Sequence, residues 1–211
     1  MPGPASEDFV RARTADVTLR DGGHIRVRPV APGDKERLVD GLRRLSPASR
    51  YRRFLAPTDH LSADALAYLT ELDYHDHFAW GAVDLDEPGE PGVGVARYVR
   101  LRDDPEAAEV AVAVVDDHQR RGIGGLLLRL VAMSAREHGI RRLVATVMAD
   151  NEPVREVLRD LGADYRLRTE QGRAVIEVPV PEPTEEMAAT SLFGLLRLAA
   201  GGDLEVRPAG R

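Results

Sequence analysis

The stretch Val112-Ala113-Val114-Val115-Asp116-Asp117-His118-Gln119-Arg120-Arg121-Gly122-Ile123-Gly124-Gly125-Leu126-Leu127 constrains the chain more than any other. An apolar strand ends, a short polar loop follows, and a long helix begins inside a glycine-rich turn. Such a helix start offers unpaired backbone N–H groups and the positive end of the helix dipole. Glycine lets the backbone approach a bulky anion without a clashing Cβ. The stretch therefore reads as a site for phosphate or pyrophosphate. A nucleoside-triphosphate loop needs Gly-Lys-Ser/Thr, and Gly124 is followed by Gly125-Leu126. The dinucleotide fingerprint needs a third glycine where Leu127 stands. On the residues alone, a glycine-rich helix start that binds nothing stays open beside the anion site.

The flanking periodicities supply a frame. Alternation predicts strands at Ile25–Val30, with a turn at Asp21-Gly22-Gly23, and at His77–Leu85, Gly92–Leu101, Glu109–Val115, Arg142–Met148, Ala163–Arg168 and Ala174–Val180. Helical spacing predicts helices over Ala31–Leu45, Pro47–Phe54, Ala63–Leu72, Ile123–His138 and Pro153–Leu161. Consecutive strands suit antiparallel hairpins, whereas the strand–helix–strand at 109–148 suits one parallel pair. The expected class is α+β, a mixed and mostly antiparallel sheet flanked by helices. Residues 1–15 read as a flexible arm, 16–181 as the folded domain, and 182–211 as a tail. In that tail Thr184–Ala199 has the pattern of an amphipathic helix, suited to packing on the domain or on a second copy.

Composition narrows the classes. The 211 residues suit one domain with terminal extensions, and a formal net charge of −6 gives no general attraction to nucleic acid or to an anionic membrane. The sequence holds no cysteine, which excludes thiol nucleophiles, disulfides and Cys-based metal sites. Nor does any apolar run approach the roughly 20 residues that span a bilayer. The start shows no secretory signal, so a cytoplasmic location is expected.

Gln119-Arg120-Arg121-Gly122-Ile123-Gly124 matches the Gln/Arg-x-x-Gly-x-Gly/Ala signature of the GNAT superfamily at every fixed position. Asn151 stands just after the next strand, and Leu161-Gly162-Ala163 resembles the family's Leu-Gly-aromatic ending, with Ala163 in the aromatic place. The resemblance spans about residues 25–180. It implies a V-shaped sheet, splayed beside the glycine loop, with acetyl-CoA as acyl donor. The pantetheine arm would run along Val112, Ala113 and Val114. Gln119 heads the loop, the amides of Arg120, Arg121, Gly122, Ile123, Gly124 and Gly125 would hold the pyrophosphate, and Asn151 would face the arm from the other side. The Arg120 and Arg121 side chains either add charge to the phosphates or belong to a solvated helix start.

An amine nucleophile is protonated at neutral pH, so an enzyme of this kind must supply a base. Glu109 alternates with Ala111 and Ala113, putting all three on one face of the strand that leads into the loop. It resembles the catalytic glutamate of many GNAT enzymes; the alternative is a strand-end carboxylate with no task. His75 and His77 are the next candidates, and no third ligand accompanies them for a metal. The amide of Val112 is the simplest donor to an oxyanion. Where many relatives carry a tyrosine as acid for the leaving thiolate this sequence has Leu158, so no acid is assigned, with Tyr165 as one alternative.

Arg28-Pro29-Val30 with Asp34, Leu45-Ser46-Pro47-Ala48-Ser49-Arg50-Tyr51-Arg52-Arg53-Phe54, and Asp150-Asn151-Glu152-Pro153-Val154-Arg155 together resemble bacterial Pat-type protein lysine acetyltransferases. That resemblance implies a reactive lysine on a protein, such as an AMP-forming acyl-CoA synthetase, as acceptor. Residues 1–24 are too few for the cyclic-nucleotide domain some of those enzymes carry. The Arg43–Arg53 cluster could grip an acidic partner or be a solvated helix face. A small-molecule amine acceptor and a non-catalytic acetyl-CoA sensor are the competing readings.

Overall fold

Why the chain can hold a split sheet is visible in how its strands pair. The computed structural model describes residues 7–160, 164–170, 172–180 and 205–209. In chain order these form α1 (Glu7–Ala12), β1 (Ala15–Thr18), β2 (His24–Pro29), α2 (Lys35–Arg44), α3 (Pro47–Phe54), α4 (Ala63–Thr70), β3 (His77–Asp84), β4 (Gly92–Arg100) and β5 (Ala107–Val114). There follow α5 (Ile123–Glu137), β6 (Arg142–Met148), α6 (Glu152–Asp160), β7 (Arg166–Glu170), β8 (Arg173–Pro179) and β9 (Glu205–Pro208). The nine strands form one sheet in the order β7-β8-β6-β5-β4-β3-β2-β1-β9. All neighbours are antiparallel except β5 and β6, the parallel pair expected from the strand–helix–strand pattern.

The pleat sorts side chains by partner. Phe78, Trp80 and Ala82 of β3 lie opposite Tyr98, Ala96 and Gly94 of β4, which lie opposite Val110, Val112 and Val114 of β5. This face is covered by α5, whose Ile123, Leu126, Leu127, Leu130 and Val131 are buried in the main core. The Trp80 indole N–H donates to Ser134 Oγ at 3.0 Å, so the one polar atom of that ring is satisfied inside the core. Gly94 lets the helix come this close. A Cβ there would meet Leu127 Cδ1 at 3.0 Å and Ile123 Cγ2 at 3.2 Å. The opposite face, with Ala79, Gly81, Val95, Arg97, Glu109, Ala111 and Ala113, is the one α2, α3 and α4 approach.

Four expectations are corrected. Ala31–Asp34 is not the start of α2: Pro32-Gly33 favours a 3₁₀ turn, closed by Asp34 N–H to Ala31 O at 2.9 Å. Residues 7–12, assigned to a flexible arm, form α1, because Phe9 packs on Tyr74 and Phe78 with ring centroids 5.1 and 6.3 Å apart. The late strand begins at Arg166 rather than Ala163. Inside the expected tail, β9 returns to pair with β1 and buries Val206. The amphipathic segment Thr184–Ala199 lies outside the described residues, as do Leu161, Gly162 and Ala163.

Gly94→Ala drives a methyl against Leu127 and Ile123, both essentially without solvent exposure, so that these side chains must shift inside a packed core. We expect a loss of roughly 1–3 kcal/mol, the usual cost of overpacking a core, measured by urea denaturation. An unchanged midpoint would mean α5 is free to slide.

Candidate functional site

Parallel pairing of β5 and β6 covers three residue pairs, Ala107↔Arg142, Ala108↔Leu143 and Glu109↔Val144. Beyond Glu109, β5 keeps β4 on one side through Val114, while β6 keeps β8 through Met148. The edge of β5 from Val110 onward thus has no ladder partner on the β6 side. At the open end of this cleft begins α5. Its N-cap is Gly122, with φ +85° and no capping side chain. The first helical bond runs from Leu126 N–H to Gly122 O, so the amides of Ile123, Gly124 and Gly125 precede it. A Cβ on Gly124 would touch only Val114 Cγ2, at 3.6 Å, and one on Gly125 would meet nothing within 4 Å. Across the cleft Asn151 is buried, and its Oδ1 has no hydrogen-bond partner. An uncapped helix start, an unpaired strand edge and an orphaned amide oxygen fit a ligand that carries an anion and amide groups.

The loop from Val115 to Gly122 is tied to four separate elements. Asp116 accepts from Ser46 N–H at 2.7 Å, Ser46 Oγ at 3.0 Å and Ser49 Oγ at 2.8 Å, which joins it to the start of α3. Arg44 of α2 reaches Asp117 at 2.9 Å. His118, buried, bridges Asp84 of β3 at 2.7 Å and Asp117 at 3.0 Å. Arg121 pairs with Asp21 in the β1–β2 turn at 2.5 Å. Gln119 donates to Val114 O at 3.0 Å and so closes the end of β5. Arg120, exposed and at φ +61°, makes no ion pair among the described residues. The Arg121 side chain is thus neither a free phosphate ligand nor a merely solvated one. For Asp84, burial raises the carboxyl pKa, but the hydrogen bonds from His118 and from Asp86 N–H bring it below the ordinary value.

On the α2–α4 side, Glu109 stands exposed at the start of the cleft, on the face it shares with Ala111 and Ala113. Arg53 of α3 lies close enough for the Glu109 carboxylate to favour its charged form, against the burial that lowers it. His77 is no free base. Burial and then the neighbouring Arg97 push its pKa to about 4, and Arg97 Nη1 approaches its Nε2 at 3.1 Å. His75 sits exposed, paired with Asp76 at 2.8 Å. Leu158 is buried in α6. Tyr165 lines a shallow pocket with Arg142 and Pro179, at the paired end of β5 and β6 and away from the glycine loop. Sequence reading missed Asp84, Asp116 and Arg97, and took Arg53 only as one member of the Arg43–Arg53 cluster. Only Arg97 had a local signal, a charge among Val93, Val95 and Val99 in an alternating strand. Among the described residues there is no group of three or more acidic or His side chains that could hold a metal, and no helix long and apolar enough to cross a membrane.

Residues 45–163 match the acetyltransferase (GNAT) family. The chain belongs to the GNAT acetyltransferase family. It is 40% identical over 168 residues to acetyltransferase Pat of Mycolicibacterium smegmatis, a match that takes in 78% of this chain and 48% of that protein. It is 34% identical to acetyltransferase PA5475 of Pseudomonas aeruginosa, over 69% of this chain and 77% of that one. Among solved structures, the GNAT domain of S. lividans PAT aligns with TM-score 0.71 and 37% identity, covering 79% of this chain and 97% of that domain. The chain therefore spans about half the length of the Mycolicibacterium protein. In GNAT terms the cleft is the place where the sheet opens beside the signature loop.

Asp116→Ala removes three hydrogen bonds at the head of α3, and a loss of roughly 1 kcal/mol is expected, the usual net worth of a hydrogen-bonded group. Burial pushes the Asp116 carboxyl up, yet the Ser46 and Ser49 bonds hold it below its ordinary value. Its contribution is therefore fully present above about pH 4 and fades as pH falls through the lower folded value. Stability measured from pH 7 to pH 2 should fall less steeply in the variant. Parallel profiles would show that Asp116 is not a tether.

Proposed function

We propose that this chain transfers an acetyl group from acetyl-CoA to a primary amine, most simply the side chain of a lysine in a protein. One observation carries the reading: an opened parallel strand pair beside an uncapped, glycine-lined helix start, with a carboxylate on the acceptor-side face. The Ile123, Gly124 and Gly125 amides bind the pyrophosphate. The free edge of β5 at Val112 and the Asn151 side chain orient the pantetheine arm, while Gln119 fixes the end of β5. Glu109 takes the proton from the acceptor nitrogen as the new N–C bond forms and the C–S bond breaks. The Val112 amide meets the oxyanion, and the thiolate leaves to be protonated by solvent.

A protein acceptor is favoured by the rim. Tyr51 on α3 and Tyr68 on α4 are 41% and 55% exposed, large aromatic surfaces of the kind that anchor macromolecules. The likeness to Pat points the same way, with an acyl-CoA synthetase as the substrate class and the cytoplasm as the compartment. A small amine acceptor is the competing reading. Labelled acetyl-CoA incubated with lysate separates them, since label appears either in protein or in the small-molecule fraction.

Glu109→Gln keeps size and hydrogen-bonding capacity but removes the base. The expected fall in kcat is roughly 10²–10⁴-fold, with acetyl-CoA affinity nearly unchanged. Wild-type turnover by the variant across pH 6–9, a window chosen around neutral amine chemistry, would move the base elsewhere. Gly124→Glu should fold, because its Cβ has room, and should abolish acetyl-CoA binding in calorimetry by bringing a carboxylate to the phosphates.

A further inference from the structure

Between the sheet and α2–α4 lies a cavity of about 90 Å³, several times the roughly 10–15 Å³ that one water needs. Leu38, Leu61, Leu69 and Val95 give it apolar walls, and Arg53 and Arg97 line it as well. Arg97 is 4% exposed. Its guanidinium donates to Leu69 O at 3.3 Å and meets neutral His77 at 3.1 Å, while its Nε has no partner. No carboxylate among the described residues makes an ion pair with Arg97 or with Arg53, whose guanidinium lies over the Phe54 ring at 5.0 Å. The contrast inside the same cavity is Asp34, which serves both Arg28 at 2.5 Å and Arg37 at 3.4 Å. Two guanidiniums thus face each other across apolar walls, and the nearest carboxylate, that of Glu109, acts on Arg53 at a distance without an ion pair to either. Burial first, and then the charge of Arg53, pull Arg97 down to about 9. A buried cation left uncompensated is costly, and the group that best relieves it is a carboxylate accepting from the guanidinium fork.

Arg97 stands opposite Ala111 and shares a face with Ala113 and Glu109, one strand over from the opened edge of β5. We infer that Arg97 and Arg53 form a carboxylate-binding subsite beside the reaction centre, filled by a carboxylate that one of the two reactants carries. This rests on the acyl-transfer reading. Two sources have the required chemistry: the far carboxylate of a dicarboxylic acyl thioester, or an acidic group next to the acceptor amine.

Two binding arms distinguish them. Calorimetry compares succinyl-CoA with acetyl-CoA. Fluorescence anisotropy, with CoA present, compares two labelled peptides whose lysine is followed by Glu or by Gln. In one arm we expect the carboxylate-bearing ligand to bind roughly tenfold tighter or more, the range for hydrogen bonds to charged groups. The ratio should approach one in Arg97→Met or in Arg53→Gln. Met replaces a buried uncompensated cation by an apolar chain and should leave the melting temperature unchanged or raised, and Arg53 is only half-buried, so at least one variant folds. Equal affinities in both arms overturn the inference, as does a preference that survives both substitutions. Turnover of the Gln peptide with acetyl-CoA is measured alongside. Its absence would count against the acyl-transfer reading, while the binding ratios still judge the subsite.

Discussion

The sheet of this protein is two fully paired half-sheets joined by the three residue pairs from Ala107↔Arg142 to Glu109↔Val144. Everything that can act as a site depends on that seam being short. Backbone groups in a folded chain must be paired or wetted, so a cleft inside a sheet is affordable only if each strand beside it is secured elsewhere. Here β5 is laddered to β4 from Ala108 to Val114, and β6 to β8 from Arg142 to Met148. Parting them exposes one edge of each strand and unravels neither. The same economy appears at α5, where the buried Ile123, Leu126 and Leu127 hold the helix and leave its first amides uncapped.

Between its buried ends at Val115 and Ile123, the loop at the mouth of the cleft is held by hydrogen bonds and ion pairs. Of the acidic, basic and histidine side chains between Val115 and Gly122, all but Arg120 reach a different part of the fold: α3, α2, β3 or the β1–β2 turn. A loop ordered in advance loses little conformational freedom when a ligand arrives. Because Asp116 accepts from Ser46, the cap of α3, and from Ser49, the helix that presents Arg53 is fixed to the same loop whose far end opens α5. The glycine loop and α3 are therefore registered against each other through one carboxylate.

What could be read in the sequence was local. Pro47–Phe54 and Arg142–Met148 carry their periodicity and boundaries within themselves, and the glycine loop advertises its geometry because glycine adopts a left-handed backbone, as at Gly122, that other residues rarely do. Opacity begins where a partner is distant. Nothing near His118 announces Asp84, 34 residues earlier, and nothing near Arg121 announces Asp21, 100 residues earlier. The short strand Glu205–Pro208 becomes one by finding β1. Phe9 turns an apparently polar arm into a packed helix because Tyr74 and Phe78 leave an aromatic surface for it. Arg97 was visible as an oddity, yet its missing counterion is a fact of three dimensions.

The electrostatics of the acceptor side run against the chain's overall sign. The protein carries a net −6, whereas the face around Glu109 presents Arg53 and Arg97 with no ion-paired carboxylate. On the proposed amine-acceptor reading, this polarity is productive whenever no reactant carboxylate occupies the Arg53–Arg97 subsite. A cationic ammonium entering such a pocket is disfavoured by like charge and by desolvation, and both effects lower its pKa toward neutrality. The free amine, the form that can attack, gains population before any base acts. In the role proposed for it, Glu109 then has less work to do: it would attract the incoming cation at an exposed mouth and receive a proton that the interior already tends to expel. Two arginines and one glutamate could in this way divide a single task, with the anion outside and the cations within. The gradient between them would set the direction in which the proton leaves.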